Sequence, residues 1–286
     1  MDSPTVLRRR LGAELRRLRE PAGLQAKEAA EATGFSGTKI SRIESGQATL
    51  KEVDVRSLLK LYGVTDAADL QKFILLTRQS TQRGWWHDYG DSLPEWFQTY
   101  VGMEGDASEI CAHETELVPG LLQIPEYARG VFEVWPRRLS EHEIEHRVNL
   151  RLQRQEIFNS PNPPQFRAIL NEAVLTRPAG GPEAMNRQIQ HLISLSERPS
   201  ITIQILPLSA DPHPSMGLSF QILSFSDVPG DIVYLEGLTS ALYIEKETDI
   251  ALYRLAFEQL ERSATTPEES SLWMRKVAAE RYGYGG

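Results

Sequence analysis

The hydrophobic positions near the start of the chain recur with a helical period. Leu7, Leu11, Leu15 and Leu18 fall on one face of a helix, and Ser3 followed by Pro4 is a typical helix start. The same pattern predicts further helices over residues 25–33, 36–46, 52–62 and 66–79. We therefore expect an all-α N-terminal domain of five short helices, over residues 1–79.

The pattern changes in the second part of the chain. Short runs of β-branched and aromatic residues, bounded by Pro, Gly, Asn or Asp, predict strands at 166–170, 201–206, 220–225 and 232–235. Helical periodicity predicts helices at 140–158, 185–196, 248–262 and 267–280. Since two of the strands are joined by the loop 207–217, we expect an α+β C-terminal domain over 100–286, with an antiparallel sheet covered by helices.

A joint over residues 80–99 separates the two predicted domains. It begins with a polar, turn-prone stretch and is then rich in aromatic residues, among them Trp85, Trp86, Tyr89, Trp96 and Phe97. These rings have two interpretations. They form an aromatic-walled pocket, or they anchor the core of the second domain or the joint itself, which is the commoner use of buried aromatics.

The stretch from Gly34 to Gly46 has its own start and stop signals. Ser36 is placed to accept a backbone N–H at a helix start, and Gly46 can take the left-handed conformation that ends a helix. Ile40 and Ile43 share one face, and Thr38, Lys39, Ser41 and Arg42 project on the other. Two short helices joined by a turn with Gly predict a helix-turn-helix unit, whose second helix enters the DNA major groove.

These residues carry a resemblance. The pattern LxxxEAAxxTGFSxxxISRIESG resembles the DNA-binding core of the xenobiotic-response-element (XRE) family of bacterial regulators, relatives of phage repressors. The resemblance implies DNA contacts by the recognition helix and its start, at Ser36, Gly37, Thr38, Lys39, Ser41 and Arg42. It also implies a buried ion pair between Arg19 and Glu44. Where the family often has Gln, this chain has Ala26, and Gln25 is the candidate substitute.

A second resemblance covers most of the remaining chain. The stretches VPGLLQIPEYARGVF, RLQRQEIF, QILPLSADPHPSMGLSFQILSF and DIVYLEGL look like the C-terminal domain of unknown function in WhiJ-like regulators of filamentous bacteria. Members of that group are described as antitoxin-like or developmental regulators. The resemblance implies a small protein partner encoded nearby.

Charge is distributed unevenly along the 286 residues. The whole chain has a net charge of −8, but residues 1–79 hold 14 Lys and Arg against 10 Asp and Glu, a net +4. A basic module on an acidic body is compatible with DNA binding. A single cysteine, Cys111, and the lack of a long apolar run indicate a cytoplasmic protein with no membrane partner. As a DNA-binding protein it is expected to be nucleoid-associated.

Rival chemistries have weaker signals. His142, Glu143 and His146 match the H-E-x-x-H zinc pattern, but charged neighbours favour a solvated helix surface. Arg147, Arg151 and Arg154 form a row that either binds an acidic ligand or partner, together with Trp85 and Trp86, or is a solvated, salt-bridged face. There is no Gly-rich phosphate loop and no cysteine pair. We expect no cofactor, no metal and no enzymatic activity.

The sequence therefore predicts a dimeric transcription regulator of double-stranded DNA. Thr38 and Arg42 are expected to read base edges, Lys39 to meet phosphate, and Gly37 to allow close approach of the helix. The C-terminal domain is expected to receive a signal from a small partner protein or a small-molecule effector. Two alternatives stay open. The first is an antitoxin-like scaffold that sequesters a small protein, and the second is a zinc hydrolase.

Overall fold

The computed structural model describes residues 3–82, 84–134, 139–226 and 230–283. The chain forms two compact units. The first contains the residues up to Asp88, Gln98–Asp106 and a short stretch that begins at Phe225. The second contains Tyr89–Phe97, Ala107–Ser224 and the residues from Gly230 onward. No helix within the described ranges is long and apolar enough to cross a membrane.

The first unit begins with five helices, as the sequence predicts. They are α1 (Pro4–Arg19), α2 (Ala26–Thr33), α3 (Gly37–Glu44), α4 (Glu52–Leu61) and α5 (Ala67–Ser80). The Val6 N–H donates to the Ser3 hydroxyl at 3.3 Å, so Ser3 caps α1 in the predicted way. The unit also contains most of α6 (Glu95–Glu104).

The core of the first unit is built from the apolar faces of its helices. Leu11 and Leu15 of α1 pack in one buried cluster with Ile40 and Ile43 of α3. The same cluster takes in Ala29 and Ala30 of α2 and Val55, Leu58 and Leu59 of α4. Burial of this shared stripe fixes α3 among three other helices.

The second unit combines helices with a single sheet. Its helices are α7 (Pro125–Glu133), α8 (Glu141–Gln155), α9 (Pro182–Leu195), α10 (Glu247–Ser263) and α11 (Pro267–Arg281). Its strands are β1 (Glu109–Glu114), β2 (Gln165–Asn171), β3 (Ile201–Leu206), β4 (Phe220–Ser224), β5 (Ile232–Glu236) and β6 (Ala241–Ile244). The predicted α+β class is confirmed.

The sheet is mixed rather than antiparallel. Its strand order is β3-β2-β1-β4-β5-β6, with parallel pairing between β1 and β2 and between β2 and β3, and antiparallel pairing elsewhere. The antiparallel expectation is wrong for the first three strands because α9 joins β2 to β3, and a helical crossover returns the chain to the same end of the sheet. The strands β3 and β4 are also not neighbours, since β4 pairs with β1.

The residue pattern of the central strand does not predict it. β1 has the sequence EICAHE, with polar residues at both ends and no alternation of polar and apolar residues. Its middle residues are buried because the strand has neighbours on both sides and helices over the sheet. On one face Cys111, Phe220 and Val233 pack against Phe257 and Leu260 of α10.

Candidate nucleic-acid interface

The turn between α2 and α3 is built around Gly34. Its φ of +73° lies in the left-handed region, which glycine adopts without strain. The Phe35 N–H donates to the Ala30 carbonyl at 2.8 Å and closes the end of α2. At the other end of α2, the Glu28 carboxylate accepts the Gln25 N–H at 2.7 Å. Both ends of α2 are fixed, so α3 leaves the turn in a defined direction.

Helix α3 lies in close contact with α1. Ile40 and Ile43 are 0% and 2% exposed, on the inward face that the sequence predicts. A Cβ added at Gly12 of α1 would lie 2.3 Å from the Ile43 carbonyl oxygen, so only glycine allows this approach. Gly46, with a φ of +72°, ends α3 as expected. The back of α3 is therefore rigidly packed, and its front is left for other contacts.

Ser36 precedes α3 but does not cap it with its side chain. The prediction that its hydroxyl accepts a backbone N–H is wrong. The first turn is tight, and the Lys39 N–H donates to the Ser36 carbonyl at 2.9 Å. The Lys39 N–H, which a capping side chain would normally bind, is therefore already hydrogen-bonded to the main chain.

Most of the predicted DNA-contacting residues are exposed. Gly37 is the first residue of α3, and the exposed side chains are those of Gln25, Ser36, Thr38, Ser41 and Arg42. Thr38, Ser41 and Arg42 are spaced three and four apart, so they share one face of α3. Hydroxyl and guanidinium groups of this kind pair with base edges and phosphates. The surface has the chemistry of a nucleic-acid interface.

Lys39 is held differently from its neighbours. Its ammonium lies 3.6 Å from the centroid of the Phe35 ring and 3.7 Å from a carboxylate oxygen of Asp54 on α4. Sequence reasoning missed Asp54, because no spacing within one helix relates it to Lys39. A phosphate that binds Lys39 must compete with this internal counter-ion.

A buried ion pair joins α1 to α3. Arg19 donates to both carboxylate oxygens of Glu44, at 2.6 and 2.9 Å, and also to the Leu24 carbonyl at 2.6 Å. Both charged side chains are 9% exposed. The hydrogen bond to Glu44 raises the pKa of Arg19 above its ordinary value. The pair fixes the end of α3 relative to the end of α1.

Trp85 and Trp86 lie in the first unit. Trp86 is 4% exposed, and a Cβ added at Gly102 would lie 2.9 Å from its ring. Trp85 is 37% exposed and meets Trp86 edge to face, with ring centroids 6.0 Å apart. Trp86 is therefore a core residue of this unit, whereas Trp85 offers a surface. The predicted aromatic-walled pocket stays a prediction.

The arginine row of α8 lies in the second unit and is not a solvated face. Arg154 is 4% exposed, and its guanidinium carbon lies 5.1 Å from the centroid of Phe97. The corresponding distance from Arg151 to Phe132 is 4.5 Å, and Arg151 also donates to the Gln123 side chain. Arg147 lies 5.9 Å from the same Phe132 ring. The row is packed on aromatic rings.

The zinc alternative depends on His142, Glu143 and His146 at the start of α8. The Glu143 carboxylate accepts hydrogen bonds at 2.8 Å from both the backbone N–H and the hydroxyl of Ser140. It therefore caps the helix and is not oriented as a base. The described residues contain no group of three or more His, Cys, Asp or Glu side chains that could hold a metal ion.

Two parts of the chain match models of known protein families. A family model described as a domain of unknown function, DUF5753, matches residues 97–276, which is more than half of the chain. The chain belongs to the DUF5753 family. A model described as a helix-turn-helix domain matches residues 10–71, which include α2, the turn and α3. This architecture fits a helix-turn-helix regulator. No curated protein matches the chain.

The DUF5753 region also encloses a polar layer that sequence reasoning missed. The strand register puts Gln221, Tyr234 and Tyr243 side by side on one face of the sheet, and Glu114 lies on that same face. The Tyr234 hydroxyl donates to Glu236 at 2.8 Å. Burial raises the pKa of Glu114 to about 7. These are single polar residues within apolar strands, so no sequence pattern identifies them as a group.

Proposed function

We propose that this DUF5753 protein is a sequence-specific transcription regulator of the XRE type, which binds double-stranded DNA through α3. The observation that supports this most is the division of α3 into two faces. Ile40 and Ile43 are buried, while Thr38, Ser41 and Arg42 are exposed on the helix that follows the Gly34 turn. A helix presented in this way fits the major groove.

The proposed roles follow from the chemistry of the side chains. Thr38 and Arg42 read base edges, because a hydroxyl and a guanidinium can pair with groups in the major groove. Lys39 binds phosphate after it leaves Asp54. Gly37 has no Cβ and lets the start of α3 approach the DNA backbone. Gln25 at the start of α2 and Ser36 supply further polar contacts.

The regulator acts as a homodimer in this proposal. A single helix-turn-helix module buries little DNA surface, so two modules on half-sites one helical turn apart are needed for specificity. The DUF5753 region supplies the dimer contact and receives the signal, from a small partner protein or a small-molecule effector. Its polar layer and the arginines of α8 are the candidate receiving groups.

The test is binding of the full-length protein to the DNA upstream of its own gene and to scrambled DNA, over a series of salt concentrations. We expect binding to the upstream DNA roughly 10³-fold tighter than to scrambled DNA. Equal affinities with an equally steep salt dependence would mean that the basic module only attracts phosphate, and the proposal would then be wrong.

Two substitutions assign the roles within α3. Arg42→Ala should relax the preference at one base pair and cost about 1–3 kcal/mol on the specific site only. Lys39→Ala should weaken binding to all sequences alike and make the salt dependence shallower by about one charge. Arg17→Ala, which removes an exposed arginine of α1, is the matched control. Equal losses on specific and scrambled DNA for both α3 variants would contradict these roles.

A second candidate is the antitoxin-like scaffold. It is favoured by Leu252 and Leu255, which lie three apart on α10 and are 65% and 58% exposed. Exposed apolar residues on one helix face suit a protein partner. The DNA experiment separates the two candidates, because a scaffold needs no preference for the upstream sequence.

A further inference from the structure

His113 is a buried histidine with one ring nitrogen in use. It lies in the middle of the sheet on β1 and is 0% exposed. Its Nδ1 is 3.1 Å from the Ile169 carbonyl oxygen, and a carbonyl only accepts, so Nδ1 carries the hydrogen. In the neutral ring Nε2 then has a lone pair. Nε2 is buried and has no hydrogen-bond partner among the described residues.

A second histidine lies next to the first. His213 lies in the loop between β3 and β4, and its ring meets that of His113 edge-on, with centroids 5.9 Å apart. Its Nδ1 is also buried and without a hydrogen-bond partner in the described ranges. Buried polar atoms are normally paired, so two unsatisfied nitrogens on neighbouring rings call for an explanation. Burial lowers the pKa of His113 to about 4 and that of His213 as well, so both rings are neutral at neutral pH.

We propose that His113 Nε2 and His213 Nδ1 bind one divalent transition-metal ion of the zinc class, with water completing its coordination. Neutral imidazole is a common ligand of such ions. A metal-binding histidine usually donates its other N–H to a carbonyl or carboxylate, as His113 does to Ile169.

The separation of the rings fits this site. With metal–nitrogen bonds of about 2.0–2.1 Å, two imidazoles on a tetrahedral ion have centroids roughly 5 Å apart. The observed 5.9 Å therefore needs a small closing movement. His213 is only partly buried, and Pro212 and Pro214 beside it are exposed, so the ion can enter from the loop side.

The site would attach the loop to the sheet. With two protein ligands and water in the other positions, the ion should exchange freely and a chelator should remove it. When bound, the ion would hold the segment 207–217 against β1. Metal binding at this site does not require DNA binding, so either property can be absent without the other.

The experiment is a calorimetric titration of full-length, chelator-treated protein with Zn²⁺. We expect one equivalent to bind, and His213→Gln and His113→Gln should each lower the affinity at least ~10-fold. The double substitution of His142 and His146 by Gln is the matched control, because these two residues form the stacked pair on α8 with ring centroids 6.0 Å apart. That variant should keep the site.

Folding of the variants is checked by thermal unfolding without metal. His113→Gln alters the sheet interior, so His213→Gln in the loop is the decisive variant. Zn²⁺ should raise the unfolding temperature of the wild type and leave that of His213→Gln unchanged. The proposal is overturned if the wild type binds no Zn²⁺, if His213→Gln binds it as tightly, or if only the α8 double substitution abolishes binding.

Discussion

The helix-turn-helix region and the DUF5753 region use their polar residues in opposite ways. On α3 the side chains of Thr38, Ser41 and Arg42 share an exposed face. In the DUF5753 region Arg154, Tyr234 and His113 are 4%, 2% and 0% exposed. The first arrangement suits contact with an extended partner. The second suits internal support or an enclosed ligand, because buried polar groups need partners.

The two regions also differ in how charges hold their helices. One bidentate pair, Arg19 with Glu44, joins α1 to α3. In the DUF5753 region Arg254 of α10 donates to Asp231 at 2.8 and 2.6 Å and to Glu109 at 3.1 Å, and Glu109 also pairs with Arg167. A network shares the loss of one contact among several groups, whereas Arg19 has, besides Glu44, only the exposed carboxylate of Glu20 nearby among the described residues, at 3.8 Å. We therefore expect unequal effects when each is broken.

Glu44→Gln should give the largest loss of stability. It removes the charge that compensates buried Arg19 while keeping the side-chain volume, and an uncompensated buried charge costs about 3 kcal/mol or more. The free energy of unfolding of the helix-turn-helix region, from denaturant titration, is the measurement. DNA affinity should fall with it, because the end of α3 loses its connection to α1.

Glu52→Gln is the matched control for this substitution. Glu52 also pairs with an arginine, Arg78, at 2.6 Å, but both side chains are exposed, at 38% and 61%. Exposed pairs contribute little, so this variant should unfold almost like the wild type. If Glu44→Gln and Glu52→Gln lower the free energy of unfolding equally, burial is not the reason why the Arg19–Glu44 pair stabilises the region.

Arg254→Ala should have a smaller effect, in the DUF5753 region. The substitution breaks hydrogen bonds to two carboxylates, but these groups are 27% to 29% exposed and water replaces part of the loss. We expect a destabilisation of about 1–2 kcal/mol. Hydrogen exchange of peptides from α10 and β1 measures it locally. Arg262→Ala, on the same helix with an exposed pair to Glu258, should leave the exchange unchanged.

The two regions also differ in how well the sequence predicts them. Helix signals are local, so Ser3, Gly34 and Gly46 sufficed to place the beginning of α1, the turn and the end of α3. The strand β1 was missed because its burial comes from neighbours far apart in sequence, at β2 and β4. Parallel pairing of β2 with β3 was missed although the predicted helix at 185–196 joins these two strands, and a helical crossover is the usual connection between parallel strands.

The candidate site shows the same limit. Exposure of Thr38, Ser41 and Arg42 follows from the helical period, since Ile40 and Ile43 fix the buried face. The contact between Lys39 and Asp54 depends on how α4 packs on α3, and no local pattern contains it. The pairing of His113 with His213 depends on a loop that returns over the sheet. Sequence patterns therefore identify faces of helices better than contacts between elements.

Asp54→Asn should have the smallest effect, and in the opposite direction. Because Asp54 is the internal counter-ion of Lys39, its neutralisation should strengthen DNA binding by about twofold to fivefold, as expected for a partly exposed ion pair. The gain should be similar on specific and scrambled DNA, since the lysine is proposed to meet phosphate. Affinities from a salt series measure both quantities.

Glu52→Gln serves again as the control, because it removes one negative charge from the same turn of α4 without touching Lys39. A general electrostatic effect of net charge would raise the affinity equally in both variants. If only Asp54→Asn raises the DNA affinity, and if it no longer does so when combined with Lys39→Ala, the effect comes from the contact between Lys39 and Asp54. Asp54 would then limit the DNA affinity of α3, because a phosphate can bind Lys39 only if it displaces the Asp54 carboxylate.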